Sequence, residues 1–286
     1  MAGNVTSRKR AALGCMLGML LVAGGCSTNP ATGRRELILI SAEQEVAMGT
    51  EAAPQFEQQF GGKVANAQLQ AYVNTVGQAV AAASDRPMPY EYTLVSSDVP
   101  NAFALPGGKV FLTAGLMRRM TNEWQLAAVL GHETGHVAAR HNVKGMQRQM
   151  GVAVLAEIAG HIAGADAGTA AGMATKIVGA MVNLKYSRDD EYQADELGTR
   201  YMTRAGYNPW GMVELLTVLL NLHDAEPSRL EEMFQTHPLS TKRIAQVTEL
   251  IQREYAQHRQ TSPDPKAKRF GGMRALLLKK VPLPKK

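Results

Sequence analysis

Two histidines four residues apart with a glutamate between them, His132-Glu133-Thr134-Gly135-His136, constrain this 286-residue chain more than any other feature. The segment from Thr121 or Asn122, either of which can cap a helix, reads as helical through about Arg140. Residues four apart on a helix share one face about a turn from each other. Two imidazole nitrogens on that face can reach a single Zn²⁺ at about 2.0–2.1 Å. Glu133, next to the first histidine, is placed to accept a proton from a metal-bound water. Alone, the pentapeptide is also compatible with an ordinary surface helix, so a further ligand elsewhere in the chain decides its meaning.

A catalytic zinc usually takes three protein ligands and keeps one position open. A histidine six residues after the second would supply the third ligand on a short loop, but Asn142 stands there. His141 misses that position by one residue and is expected to point elsewhere. The other source is a carboxylate on a later helix. Glu191-Tyr192-Gln193-Ala194-Asp195 provides one, with Asp195 a turn beyond Glu191 on the same face. Asp195 there can accept the free N–H of a ligating histidine and fix its tautomer.

The rest of the body is mainly helical. Ser41 and Gln44 form a capping box for a helix from about Ala42 to Phe60, with Pro54 as a kink or break and Gly61-Gly62 as its end. A second helix runs from about Ala67 to Ala83. Tyr90 to Val95 reads as a strand, and Ala102–Leu105 and Lys109–Thr113 flank Pro106-Gly107-Gly108 as a hairpin. Residues 145 to 185 are rich in Ala, Gly and Met, but Glu157, His161, Asp166 and Lys176 interrupt any long apolar run. This favours packed helices over a membrane span. Further helices fit Ser187 to Ala205, Pro209 to Leu222 with Asn208 as cap, and Ser240 to about His258. The expected class is α+β, mainly α, with a small β-sheet just ahead of the active-site helix.

These elements together resemble the gluzincin metallopeptidases that include the membrane protease HtpX, the CAAX prenyl endoprotease and the periplasmic lipoproteins BepA and LoiP. The resemblance spans Asn29-Pro30-Ala31-Thr32-Gly33-Arg34, Asn101-Ala102-Phe103-Ala104, the His132–His136 helix, the Glu191–Asp195 element, and His237-Pro238 with Arg243 six residues after the histidine. It implies a zincin-like domain holding one Zn²⁺ per chain through His132, His136 and Glu191. Glu133 is then the catalytic base and Asp195 the partner of a ligating histidine. By the same resemblance Asn101, Ala102, Phe103 and Ala104 line the cleft, while His237 and Arg243 stand on its opposite rim with catalytic roles. His237 either stabilises an oxyanion or enters as a fourth, inhibitory zinc ligand. If Asn101 to Leu105 is an exposed edge, an extended peptide can add to it.

The chain ends set location and partners. Ser7-Arg8-Lys9-Arg10 followed by the uncharged Ala11–Val22 is an export signal, too short to span a bilayer. Ala23-Gly24-Gly25-Cys26 resembles a lipobox, which makes residues 1–25 a lipoprotein signal peptide and Cys26 the acylated first residue; plain secretion with cleavage nearby is the alternative. Ser27 after the cysteine favours the outer membrane. The formal charge of +6 is unevenly held: residues 26–262 carry 20 basic and 24 acidic side chains, whereas 263–286 carry eight basic and one acidic. The peptidase domain, 26–262, therefore has no basic footprint for nucleic acid. The 263–286 tail, with four prolines, reads as flexible and solvated, or as a patch for anionic lipid or polymer. The expected function is a periplasmic, lipid-anchored zinc endopeptidase that clears unfolded or misassembled envelope proteins and meets the outer-membrane assembly machinery. The alternative is a lipid-anchored, chaperone-like binding protein that seldom cuts.

Overall fold

A computed structural model describes residues 26–37, 40–151, 154–155, 157–158 and 167–281. The signal segment 1–25, His161 and Asp166 lie outside the described residues. The chain begins with a two-stranded antiparallel hairpin, β1 (Cys26–Thr28) and β2 (Arg35–Leu37). Asn29 holds its turn: the side-chain oxygen accepts from Ala31 N at 2.9 Å and the backbone N donates to Arg34 O at 2.9 Å.

Helix α1 (Ala42–Gln59) carries the expected capping box between Ser41 and Gln44. Pro54 does not break it. Met48, Ala52 and Phe56, one turn apart on a single face, are fully buried and hold the helix across the bond that proline removes. Helix α2 (Ala67–Ala81), capped by Asn66, packs on the sheet. That sheet has three strands in the order β3 (Glu91–Val95), β5 (Lys109–Thr113), β4 (Ala102–Leu105). The β4–β5 pair is the expected hairpin, closed by a 3₁₀ turn at Pro106–Gly108, and β3 runs parallel to β5.

The alternation of β4 and β5 separates two apolar clusters. Ala102, Ala104, Val110 and Leu112 join the main core with α2, while Phe103 and Phe111 turn to the other face and meet Phe56, at ring-centroid distances of 5.1 and 4.9 Å. Short helix α3 (Ala114–Arg119) follows β5 without a loop and was not foreseen. Helix α4 (Glu123–Ala138), capped by Asn122, is buried at every residue, so it runs through the middle of the molecule. Arg140 then adopts a left-handed conformation, φ 59°, and starts α5 (His141–Met150), so the chain turns where the expected helix was to end. The Ala/Gly/Met-rich region gives α5 and α6 (Ala167–Val182), which pack with α1 around the second cluster. Among the described residues no helix is long and apolar enough to cross a membrane.

The remaining helices are α7 (Arg188–Arg204), α8 (Trp210–Ala225), α9 (Pro227–Thr236), α10 (Thr241–Glu254) and α11 (Ala267–Lys280). Asn208 still serves the start of α8, its side chain accepting from Trp210 N at 3.1 Å, although Pro209 is the capping residue. Helix α9 was not expected, and neither was α11.

The α11 segment corrects the reading of 263–286 as a flexible tail. Phe270 and Leu277, two helical turns apart, are fully buried in the main core. Arg269 closes a fork on the buried carboxylate of Glu123 at the start of α4, donating from Nε at 2.8 Å and also from Nη2. Asp264 accepts from Glu123 N at 3.1 Å. The apolar residues of this helix are mixed with basic residues and the Gly271-Gly272 pair, which locally reads as a solvated tail, yet Phe270 and Leu277 lock it in place. Phe270→Ala is predicted to destabilise the fold by about 3–5 kcal/mol in chemical denaturation; a loss below about 0.5 kcal/mol, the ordinary surface effect, would restore the flexible-tail reading.

Candidate active site

Helices α4 and α7 touch backbone to backbone. A Cβ on Gly131 would lie 2.9 Å from Gly198 O, one on Gly135 2.9 Å from Ala194 O, and one on Gly198 2.7 Å from His132 N. Only glycines permit so close an approach, and it carries Glu191 and Asp195 of α7 across to His132 and His136 of α4. Ser187 opens α7 with a capping box to Asp190, fixing the helix start one turn before Glu191.

Four buried groups converge there: His132, His136, Glu191 and His237, each offering one ligand atom within 4.8 Å of the others. His132 Nε2 lies 3.0 Å from His136 Nε2, 3.4 Å from His237 Nδ1 and 3.6 Å from Glu191 Oε2. Glu191 Oε1 lies 3.3 Å from His136 Nε2 and 3.0 Å from His237 Nδ1. Tetrahedral ligands about 2.1 Å from one ion stand about 3.4 Å apart, so these separations suit a single small cation at the centre. The donors are nitrogen and oxygen, with no thiol among them.

Behind the donors the chain builds supports. Asp195 Oδ1 lies 2.9 Å from His132 Nδ1, so His132 directs Nε2 to the centre. Arg243 forks Asp195 with two bonds of 2.7 Å and approaches Glu191 Oε2 at 2.5 Å. Arg243, expected on the cleft rim, does line the pocket beside Glu133 and His237, and it is also buried behind the donors, with Pro238 O as a further acceptor at 3.3 Å. Tyr186 stacks on His136 with ring centroids 4.0 Å apart. His141, which a continuous helix would turn away, lies behind His136 with Nδ1 3.0 Å from His136 Nδ1.

The electrostatics follow from burial. It raises the carboxyl of Glu133, partly offset by His237 and His132. Burial alone would also raise Glu191 and Asp195, but Arg243 and the neighbouring imidazoles together outweigh it, holding Glu191 well below and Asp195 below the ordinary carboxylate range. Burial pushes His136 well below its usual value and His141 down to about 4, keeping both neutral. For His237 burial is outweighed by Glu191, which draws its pKa upward. Glu133 Oε2 is buried and has no hydrogen-bond partner among the described residues.

An apolar pocket opens beside Glu133 and His237, lined by Ala102, Val129, Met212, Leu215, Leu219 and Met233 among others. Of the four strand residues expected to line the cleft, Ala102 does so. Phe103 faces the second core, and Asn101 bonds locally, its side-chain oxygen accepting from Ala102 N at 2.9 Å. Strand β4 is an edge in pairing, yet residues 101–105 are at most 4% exposed, so it is not the open edge that was expected.

Residues 67–251 match the family model "Peptidase family M48". The chain belongs to peptidase family M48. The M48 match covers α2 through α10, the whole constellation just described, and bears out the resemblance to the gluzincin metallopeptidases. Among curated relatives, the beta-barrel assembly-enhancing protease of Yersinia pestis is 32% identical over 213 residues, 72% of this chain and 43% of that protein. The mitochondrial metalloendopeptidase OMA1 of Schizosaccharomyces pombe is 27% identical over 225 residues, 78% of this chain and 65% of the relative. Metalloprotease YcaL of Escherichia coli (strain K12) is 29% identical over 163 residues, 57% of this chain and 63% of the relative. The chain spans less than half the length of the beta-barrel assembly-enhancing proteases from Yersinia pestis and Escherichia coli (strain K12) that it matches.

Removing the guanidinium would leave two buried carboxylates without their counter-charge. Arg243→Met is therefore predicted to cost about 3–5 kcal/mol of stability in metal-free protein. Denaturant midpoints within the experimental scatter of the parent chain would show that Arg243 does not carry this balance.

Proposed function

We propose that this chain is a zinc-dependent endopeptidase of the bacterial cell envelope, with His132, His136 and Glu191 as zinc ligands and Glu133 as the base. The observation that carries the reading is the convergence of three imidazoles and a carboxylate beside the unpartnered, buried Glu133. Zinc suits a tetrahedral nitrogen and oxygen donor set without thiolate. When bound, it supplies Lewis acidity that polarises the scissile carbonyl and makes water a nucleophile near neutral pH.

The protein's own groups supply the proton traffic. Burial lifts the Glu133 carboxyl toward the range where a base both accepts and returns a proton effectively. Glu133 takes the proton of the attacking water and delivers it to the leaving amine nitrogen. Asp195, clamped by Arg243, keeps a proton on His132 Nδ1 and so leaves Nε2 free.

His237 stands within the donor cluster and completes a fourth position. This arrangement is a latent form, in which the place needed by water is taken; withdrawal of His237 opens it. The same position of His237 favours a second reading, a lipid-anchored binding protein that assists outer-membrane protein assembly and seldom cuts.

The pocket beside Glu133 is small but lined by apolar side chains, so once widened it would suit the apolar side chains that unfolded chains expose and folded ones hide. The unpaired side of β4 offers main-chain partners to an extended segment once its cover moves aside. Unfolded or misassembled envelope proteins are thus the proposed substrates. Location rests on the export signal and on acylation of Cys26, which would hold the chain at the periplasmic face of the outer membrane.

Glu133→Gln is predicted to keep zinc, measured by metal analysis, while cleavage of unfolded casein falls by at least about 100-fold; undiminished cleavage would overturn the assignment. In His237→Ala, cleavage is predicted to rise, the mark of a latch, whereas a fall would assign His237 to transition-state stabilisation.

A further inference from the structure

His141 lies outside the four-group cluster, yet it is 1% exposed and both its ring nitrogens are engaged. Nδ1 is 3.0 Å from His136 Nδ1, and Nε2 is 3.0 Å from Gln193 Oε1. Unlike the two Nε2 atoms of His132 and His136, which face the place of a cation, these two ring nitrogens lie behind the cluster and share one proton, since two lone pairs or two N–H groups would repel. The shared proton can run in two directions. In one, His136 Nδ1–H donates to His141 Nδ1 and His141 Nε2–H donates to Gln193 Oε1. His136 Nε2 is then bare and faces His132 and Glu191. In the other, the Gln193 amide turns to donate, His141 Nδ1–H donates to His136, and His136 Nε2 carries a proton into the centre of the cluster. A protonated nitrogen cannot ligate a metal.

Two neighbours favour the first direction. Gln193 Oε1 faces His141 Nε2, and Asp190 Oδ1 lies 3.6 Å from the same nitrogen; both draw an N–H there. Asp190 is itself held by the Ser187 cap and by Arg148 at 3.2 Å. We infer that His141 and Gln193 are positioning residues that hold His136 in the tautomer able to bind a metal. The inference rests on the reading of His136 as a zinc ligand.

The backbone explains how His141 comes to this place. Five residues along an unbroken helix, a side chain faces about 140° away from the first. The left-handed Arg140 interrupts α4 and brings His141 back behind His136. Arg140 is anchored in that unusual conformation by an ion pair to the buried Glu45 and a bond to Ile40 O. The two ligating histidines are therefore supported differently. His132 leans on a carboxylate fixed by an arginine, His136 on a neutral relay whose sense an amide decides.

The test is zinc affinity of the full-length chain, measured by competition with a chromophoric chelator, with the visible spectrum of the Co²⁺-loaded protein as a second readout. His141→Leu and Gln193→Leu each weaken zinc binding by roughly 10–100-fold, the usual effect of losing such a partner. His141→Asn keeps an acceptor near the Nδ1 position and Gln193→Glu can only accept, so both stay within about threefold of the parent chain and keep its Co²⁺ spectrum. Parent-like affinity in the leucine variants, or equal losses in His141→Asn and His141→Leu, would reduce His141 to packing and overturn the inference. Failure of the parent chain itself to bind zinc would instead remove the ligand assignment on which the inference stands.

Discussion

Glu133, Glu191 and Asp195 are buried together between α4, α7 and α10 with a single guanidinium, Arg243, to balance them. Burying charge without compensation is among the most costly things a fold can do. Arg243 holds Asp195 and Glu191 ionised, and the remaining excess of negative charge, ringed by imidazoles, suits a divalent cation. Much of the surrounding architecture serves this balance. The glycines at 131, 135 and 198 let α4 and α7 close to contact, α10 brings the arginine, and the C-terminal helix clamps the start of α4 through Glu123.

The legible part of the site was the part written in helical period. His132, Glu133 and His136 sit within one helix, and Glu191 and Asp195 within another, so spacing marked each set as sharing one helical face, while the meeting of the two faces is seen in the fold. What spacing could not show is where period breaks or where partners come from distant segments. His141 was expected to point elsewhere because it misses the third-ligand position by one residue, and no local signal announces the positive φ of Arg140 that brings it behind His136. Arg243 was brought to the site by the resemblance, and its bidentate grip on Asp195, 48 residues away, leaves no mark in local spacing.

The same physical limits governed the fold. Capping boxes at Ser41 and Ser187, the Asn66 and Asn122 caps and the Pro106-Gly107-Gly108 turn mark element ends by local hydrogen bonding, and those elements stand where expected. Helices α3 and α9 are short and α11 mixes apolar with basic residues, and tertiary packing is what reveals them. Strand β4 shows the converse. Its pairing was evident, but its cover was not, because burial depends on what packs over a strand rather than on the strand itself.

The central claim, that this cluster is a mononuclear zinc site built from imidazole and carboxylate, is tested most directly by the zinc K-edge X-ray absorption spectrum of the loaded protein. The account predicts one zinc per chain with nitrogen and oxygen neighbours at about 2.0–2.1 Å and the outer-shell scattering of at least two imidazoles. A sulfur shell near 2.3 Å, or oxygen-only coordination without imidazole scattering, would contradict it.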